Sequence, residues 1–168
     1  MLALLKRNFT LYFRNRSGVF FSLLGALISF LLYIIFLQKN LTDAWSQLPD
    51  KTSLLNNWLM GGTLAVTGIT TSFTALTQMV QDREHQVDQD LFLTDLGSWG
   101  LQVSYLISSI VISFVMQLFM FVVMSLYFQE VPVWSQIAEV ALIMLLSSVL
   151  SSLVNAILIH RFQSVDSL

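Results

Sequence analysis

Residues 82–100 read DREHQVDQDLFLTDLGSWG and hold five of the chain's ten acidic side chains. On either side lies an apolar run without a single charge, 58–80 before it and 101–128 after it. A helix needs about 20 such residues to cross hydrocarbon. A charged segment between two runs of that length is expected to be a cytoplasmic loop, partly helical, that protrudes from a membrane bundle and meets another protein.

Composition points the same way. Of 168 residues, 55% are hydrophobic and 11% charged, against roughly 25% charged in a soluble domain. Eight basic and ten acidic side chains cannot clothe the surface that a soluble protein of this size presents to water. The net charge of −2 argues against nucleic acid, which is held by concentrated Lys and Arg. The chain has no cysteine, so it offers no disulfide, thiolate nucleophile or zinc–thiolate site.

Working outward toward the N-terminus, 58–80 carries three stripes. Gly61, Ala65, Gly68, Ser72 and Ala75 form a small face. Thr63, Thr67, Thr70, Thr74 and Thr77 repeat with the same spacing, displaced by about 200° around the helix. Val66, Ile69, Phe73, Leu76 and Val80 make a bulky sector between them. The small face is expected to pack on another helix, the bulky sector to meet lipid, and the threonines to line a polar path for a solute. Alternatively, each threonine hydroxyl bonds back to a carbonyl of its own helix. Before this span, 38–57 is polar and contains Pro49, as an outer loop should. Residues 19–37 are free of charge and reach ~28 Å at ~1.5 Å per residue, enough for a first span. Gly18, Ser22, Gly25 and Ser29 on it form a seam of small residues where a second helix can approach closely.

Residues 1–16 recur apolar at Leu2, Leu5, Phe9, Tyr12 and Phe13, with Lys6, Arg7, Thr10 and Arg14 on the other side. That is an amphipathic helix suited to a membrane interface, its cations toward anionic headgroups. A plain basic flank that merely orients the first span is the bland alternative.

Toward the C-terminus, 101–128 carries Ser109, Ser113 and Gln117 on one side and Met116, Met120 and Met124 on another. A buried amide in lipid wants a partner, so Gln117 is either a helix-to-helix hydrogen bond or part of the solute path; the methionines read as adaptable packing. Residues 129–133 contain Pro132 and form a tight turn, and 134–159 make a fourth span with a stripe of Ser148, Ser151, Ser152 and Asn155. The polar tail 160–168 follows. With the N-terminus inside, six basic residues fall inside and two outside, in line with the positive-inside rule. Trp58, Trp99 and Trp134 fall at span ends and Trp45 in the outer loop, where amphipathic rings prefer to lie. The fold expected is all-α and polytopic, a single transmembrane domain. It comprises an N-terminal amphipathic interfacial helix, four transmembrane helices and a helical cytoplasmic loop between the second and third, set in the cell membrane with both termini cytoplasmic.

Enzymatic signatures are missing. There is no phosphate-cradling Gly-rich loop with its Lys-Ser/Thr and no His-Glu-x-x-His, and His85 and His160 have no second histidine at ligand spacing. Glu139 is the one carboxylate within a span, about a turn and a half from its outer end. It is read as reaching the outer interface rather than facing a proton path.

The order of parts carries a resemblance. A basic amphipathic lead-in runs into RNRSGVFFSLL at 14–24, a polar loop follows, and a Gly/Thr/Ser-rich span ends in MVQDRE at 79–84 before the acidic loop. In this order the chain resembles the membrane-spanning permease subunit of a bacterial type-2 ATP-binding-cassette (ABC) exporter. The resemblance covers essentially the whole chain. It departs from the family's pattern at His85-Gln86, where relatives commonly have a glycine, and at Gly97-Ser98, where they commonly have a proline. It implies that ATP and Mg are bound by a separate cytosolic ATPase subunit and that this chain binds no cofactor and is no enzyme. It also implies a second permease copy or related chain as partner, and export of a drug, peptide or lipid-like solute. By position it assigns ATPase coupling to Lys6, Arg7 and Arg14 on the lead-in. In the loop it assigns Asp82, Arg83 and Glu84, then the helical stretch 87–96 with Val87, Asp88, Asp90, Leu91 and Asp95. The family's permease has six spans, and by that measure the chain is a fragment or a shortened member. The rival reading is a small membrane scaffold or immunity-type protein that moves no solute. It expects the polar faces of the second and fourth spans to pair with each other.

Overall fold

The computed structural model describes residues 1–40, 51–87, 97–129 and 134–159. Among these the chain is all-α, with five α-helices, four of them long and apolar enough to cross a membrane. It is a multi-pass membrane protein with four candidate spans.

The first helix, α1 (Leu2–Arg14), ends at Asn15. The Asn15 side chain accepts a hydrogen bond from the Gly18 backbone N–H at 3.0 Å, so it caps the next helix, as Asn does well. That helix, α2 (Arg16–Leu32), runs on through a π-helical turn at Tyr33–Leu37, and the continuous span is Arg16–Asn40. Then come α3 (Lys51–Glu84), α4 (Gly97–Phe128) and α5 (Trp134–Ile159). Gln86 and Gln129 take left-handed backbone angles, φ 57° and 56°, just past the ends of α3 and α4.

Helix α5 covers 134–159, and α4 begins at Gly97, four residues before the apolar run 101–128. Helix α3 is longer than the apolar run 58–80: it has 34 residues, about 51 Å at ~1.5 Å each, well beyond the ~30 Å of hydrocarbon. Residues 51–57, expected in an outer loop, are its first two turns, and Asp82, Arg83 and Glu84, expected in the inner loop, are its last. No proline interrupts 51–84, and continuing the helix keeps every backbone group bonded. Leu55 and Asn56 are buried at one end and Asp82 at the other, so the extensions pack rather than fray.

Helix α3 is the axis of the molecule, touching each of the other four. Two apolar clusters hold it. The larger joins Leu23, Ala26 and Phe30 of α2 to Met60 and Ala75 of α3 and to Ile112, Met116, Met120 and Met124 of α4, so the methionine stripe is core. The smaller lies at the end of the bundle that carries α1, here the proximal end. It gathers Leu4, Leu76, Met79, Val80, Leu101, Tyr105 and Ile159. At the distal end, Tyr33 donates to Asn56 at 3.2 Å, and Phe30, Tyr33 and Phe128 meet edge to face.

The faces of α3 divide differently from the sequence expectation. Its bulky sector is exposed at Val66 and Ile69, half-buried at Phe73, and turned inward at Leu76 and Val80. The reason is α1, which covers the proximal end and gives those side chains an apolar partner in Leu4. The seam on α2 also needs correction. Only Ser22 of it is buried, while Gly25 and Ser29 are exposed and Gly25 has nothing within 4 Å. The face of α2 that packs is Ser22, Leu23, Ala26, Phe30 and Tyr33, because those larger apolar side chains bury more surface than the glycine face would.

Candidate functional site

Two polar constellations stand out in a bundle otherwise held by apolar packing. The first is at the proximal end. On α1, Leu4, Asn8 and Tyr12 follow at four-residue intervals and form the buried face, while Leu2, Phe9 and Phe13 form an exposed apolar stripe. Arg7, next to the buried face, does not turn toward headgroups with Lys6 and Arg14, which are exposed. It clasps Asp82 of α3, Nη1 to Oδ2 at 2.8 Å and Nη2 to Oδ1 at 2.9 Å. This two-pronged geometry is the strong form of the Arg–carboxylate bond. Asp82 also accepts from Gln78, one turn back, at 3.0 Å and from the Tyr105 hydroxyl of α4. Its side chain is 5% exposed. A carboxylate at that depth is tolerated only when paired and hydrogen-bonded, and here four donor contacts do so. The hydrogen bond to Asp82 raises the Arg7 pKa above its ordinary value, against the opposing effect of burial. Beside the pair, Asn8 donates to Ser108 of α4 at 3.3 Å, and the Tyr12 and Ser22 hydroxyls lie 3.0 Å apart. Burial raises the Tyr12 pKa, with the Ser22 bond opposing. Together these contacts lock α1 to α2, α3 and α4.

Next to this knot a cleft of about 440 Å³ is lined by Gln78, Gln81, Asp82, Glu84, His85 and Val87. Of the residues assigned to coupling, Arg7 and Asp82 are therefore bonded to each other, and Glu84 and Val87 line the cleft. Arg83 is in the last turn of α3, half-buried, and Lys6 and Arg14 are exposed. Asp88, Asp90, Leu91 and Asp95 lie outside the described residues.

The second constellation runs through the middle of the bundle where α3, α4 and α5 meet. Asn155 of α5 donates to the Ser72 hydroxyl at 2.7 Å and to the Ile69 carbonyl at 2.9 Å. The hydroxyls of Ser109 and Ser152 are 2.9 Å apart, and Ser109 also donates to the Ser72 carbonyl at 3.3 Å. Ser113 donates to the Gly68 carbonyl at 3.1 Å. Small side chains let these three backbones approach, and their hydroxyls then bond across the gap. Gly68 takes the closest approach: a Cβ there would lie 2.1 Å from Gln117 Nε2 and 3.3 Å from Ser151 Oγ. Of the small face, then, Gly68 and Ser72 pack against α4 and α5, whereas Gly61 and Ala65 are exposed toward the distal end.

The threonine face divides too. Thr63 and Thr67 are buried, and Thr70, Thr74 and Thr77 are half-buried. Thr67, Thr70, Thr74 and Thr77 each bond to the carbonyl four residues back, at 2.8, 2.9, 3.0 and 3.0 Å, and Thr70 also reaches the Ser22 carbonyl of α2 at 2.6 Å. This is the back-bonding alternative. Thr74 and Thr77 line a small pocket of about 70 Å³ beside α1, and Thr63 lines a groove of about 480 Å³ between α2 and α3. Gln117 is fully buried, its Nε2 3.5 Å from Ser147 Oγ and its Oε1 without a partner.

Sequence reasoning missed Tyr105, Gln78, Asn8 and Ser147. Asn8 carried a legible signal, a polar side chain midway between Leu4 and Tyr12. So did Gln78, one helical turn before Asp82. Tyr105 in an apolar run carried none. Trp58 and Trp99 are 71% and 80% exposed; Trp45 lies outside the described residues. Glu139 is exposed. Among the described residues, no group of three or more His, Cys, Asp or Glu could hold a metal ion.

The chain matches no protein-family model, no curated protein and no solved structure.

Proposed function

We propose that this chain is the membrane-embedded subunit of an ATP-driven exporter, moved by a separate cytosolic ATPase that holds ATP and Mg. The reading is supported above all by the Arg7–Asp82 clasp with Tyr105 and Asn8 around it. Because of it, α1 and the proximal ends of α3 and α4 move as one piece, and a push delivered there tilts two spans together. The cleft beside it, edged by Glu84 and His85, is the surface for a basic patch on the ATPase, where charge steers docking more than it adds affinity. Two copies, or this chain and a related one, pair through the open Gly25 and Ser29 face, and the solute path runs between them.

The test reverses charge away from the clasp. Glu84→Lys with Asp88→Lys lowers recovery of an ATPase co-purified in mild detergent, together with its ATP turnover, while the chain still inserts. Undiminished recovery and turnover would refute the coupling role.

A second reading, a scaffold or immunity-type protein that transports nothing, is favoured by one observation: Asn155 of the fourth span pairs with Ser72 of the second. The two readings part on thiol labelling. The chain has no cysteine, so single Cys substitutions at Thr63, Thr67, Thr70, Thr74 and Thr77 have no background. Labelling by a water-soluble reagent supports a solute path, and uniform protection supports the scaffold.

A further inference from the structure

In the distal half of the bundle α3 and α5 part, and a cleft of about 390 Å³ opens between them. That volume falls in the usual range of small-molecule sites, roughly 300–1,000 Å³. Its walls are apolar and adaptable, with Met60 and Leu64 from α3, Phe121 from α4 and Met144 from α5. Methionine fits irregular ligands because its chain is unbranched and polarizable. Its mouth is edged by Gly61 and Ala65, both exposed, so nothing bulky bars entry from the side. No charged side chain is among the described residues that line it, so a charged occupant would stay uncompensated.

The lining also includes Gln117, and this residue selects the occupant. Its side chain is 0% exposed. Nε2 turns toward Ser147 at 3.5 Å, and Oε1 is a buried acceptor without a partner. Leaving such a group unsatisfied is costly, and lipid tails have nothing to offer it. The neighbouring polar groups of the mid-bundle seam are already engaged with one another.

We propose that this cleft binds a neutral lipophilic alcohol, entering from the bilayer, whose hydroxyl donates to Gln117 Oε1 while its hydrocarbon lies against Met60, Leu64, Phe121 and Met144. The site lies within one copy and stands whether or not the chain serves an exporter.

The test uses the full chain in nanodiscs, a photoreactive diazirine fatty alcohol and its methyl ether. The alcohol labels wild type saturably, on peptides of α3, α4 and α5 that line the cleft, and the ether, which cannot donate, half-saturates at about tenfold higher concentration. Gln117→Met, similar in size but without the amide, removes the difference between the two probes. Gly61→Leu fills the mouth and abolishes saturable labelling by both. A Cβ at Gly61 meets nothing within 4 Å, so the backbone there accepts a side chain, which then extends over the mouth. Gly62→Leu, equally open but facing the groove between α2 and α3, leaves labelling as in wild type. Solvent extracts of the purified proteins separate the sources. A hydroxyl lipid held by wild type and absent from Gly61→Leu identifies a membrane lipid, and a wild-type extract without one identifies a lipophile from outside. Non-saturable labelling, alcohol and ether binding alike, or a Gly61→Leu protein labelled as wild type would each overturn the proposal.

Discussion

Arg7→Met is the perturbation that asks most of the proximal knot. It leaves Asp82 charged, 5% exposed, and bonded only to Gln78 and Tyr105. Stripping one partner from a buried pair costs about 3–5 kcal/mol. Two neutral donors remain here, which puts the loss at the lower end, about 3 kcal/mol. Asp82→Asn is milder. The Arg7 side chain it strands is 30% exposed and reaches water, so the loss is that of a charge-assisted hydrogen bond, about 1.5 kcal/mol. The double substitution removes both charges and costs about 2 kcal/mol, leaving a coupling of about 2.5 kcal/mol between the two sites. Unfolding titrations in mixed micelles measure all three variants. A reporter cysteine at Leu4, a buried position, reads release of α1 by its labelling rate: slow with Arg7 present, fast in Arg7→Met. If Asp82→Asn proved the more damaging of the two, or all three variants unfolded within ~0.5 kcal/mol of wild type, the clasp would not be what seats α1.

The mid-bundle seam and the open face of α2 give further tests in the same assay. Gly68→Ala forces a Cβ against Gln117 Nε2 and destabilises by about 1–3 kcal/mol, as overpacking does; Gln117→Ala in the same chain recovers most of it. Asn155→Leu removes the amide's bonds to the Ser72 hydroxyl and the Ile69 carbonyl while Ser72 keeps its own bond to that carbonyl at 3.1 Å, and it loses about 1 kcal/mol, within the range of interhelical bonds in bilayers. Gly25→Ala meets no neighbour and gains helix propensity, stabilising the isolated chain by about 0.5–1 kcal/mol. Thr74→Val, whose hydroxyl serves only a carbonyl of its own helix, changes stability by less than ~0.5 kcal/mol.

The number and order of the candidate spans were legible in the chain itself. Crossing hydrocarbon demands some twenty uncharged residues in a row and a helix that satisfies its own backbone, and those demands are one-dimensional. The mid-bundle seam was half legible, since Ser109, Ser113 and Gln117 on one helix and Ser148, Ser152 and Asn155 on another are spaced to share a face. Which face of α3 they would meet was not. Gly68 and Ser72 face them, Gly61 and Ala65 do not, and nothing in a period of 3.6 tells where two helices diverge. The same holds for charge. Lys6, Arg7 and Arg14 are alike in sequence, yet only Arg7 lies within reach of Asp82, seventy-five residues away. A pairing over that separation depends on how α1 seats against α3 and α4. That seating follows from shape and burial in three dimensions, which a local pattern of residue types does not encode.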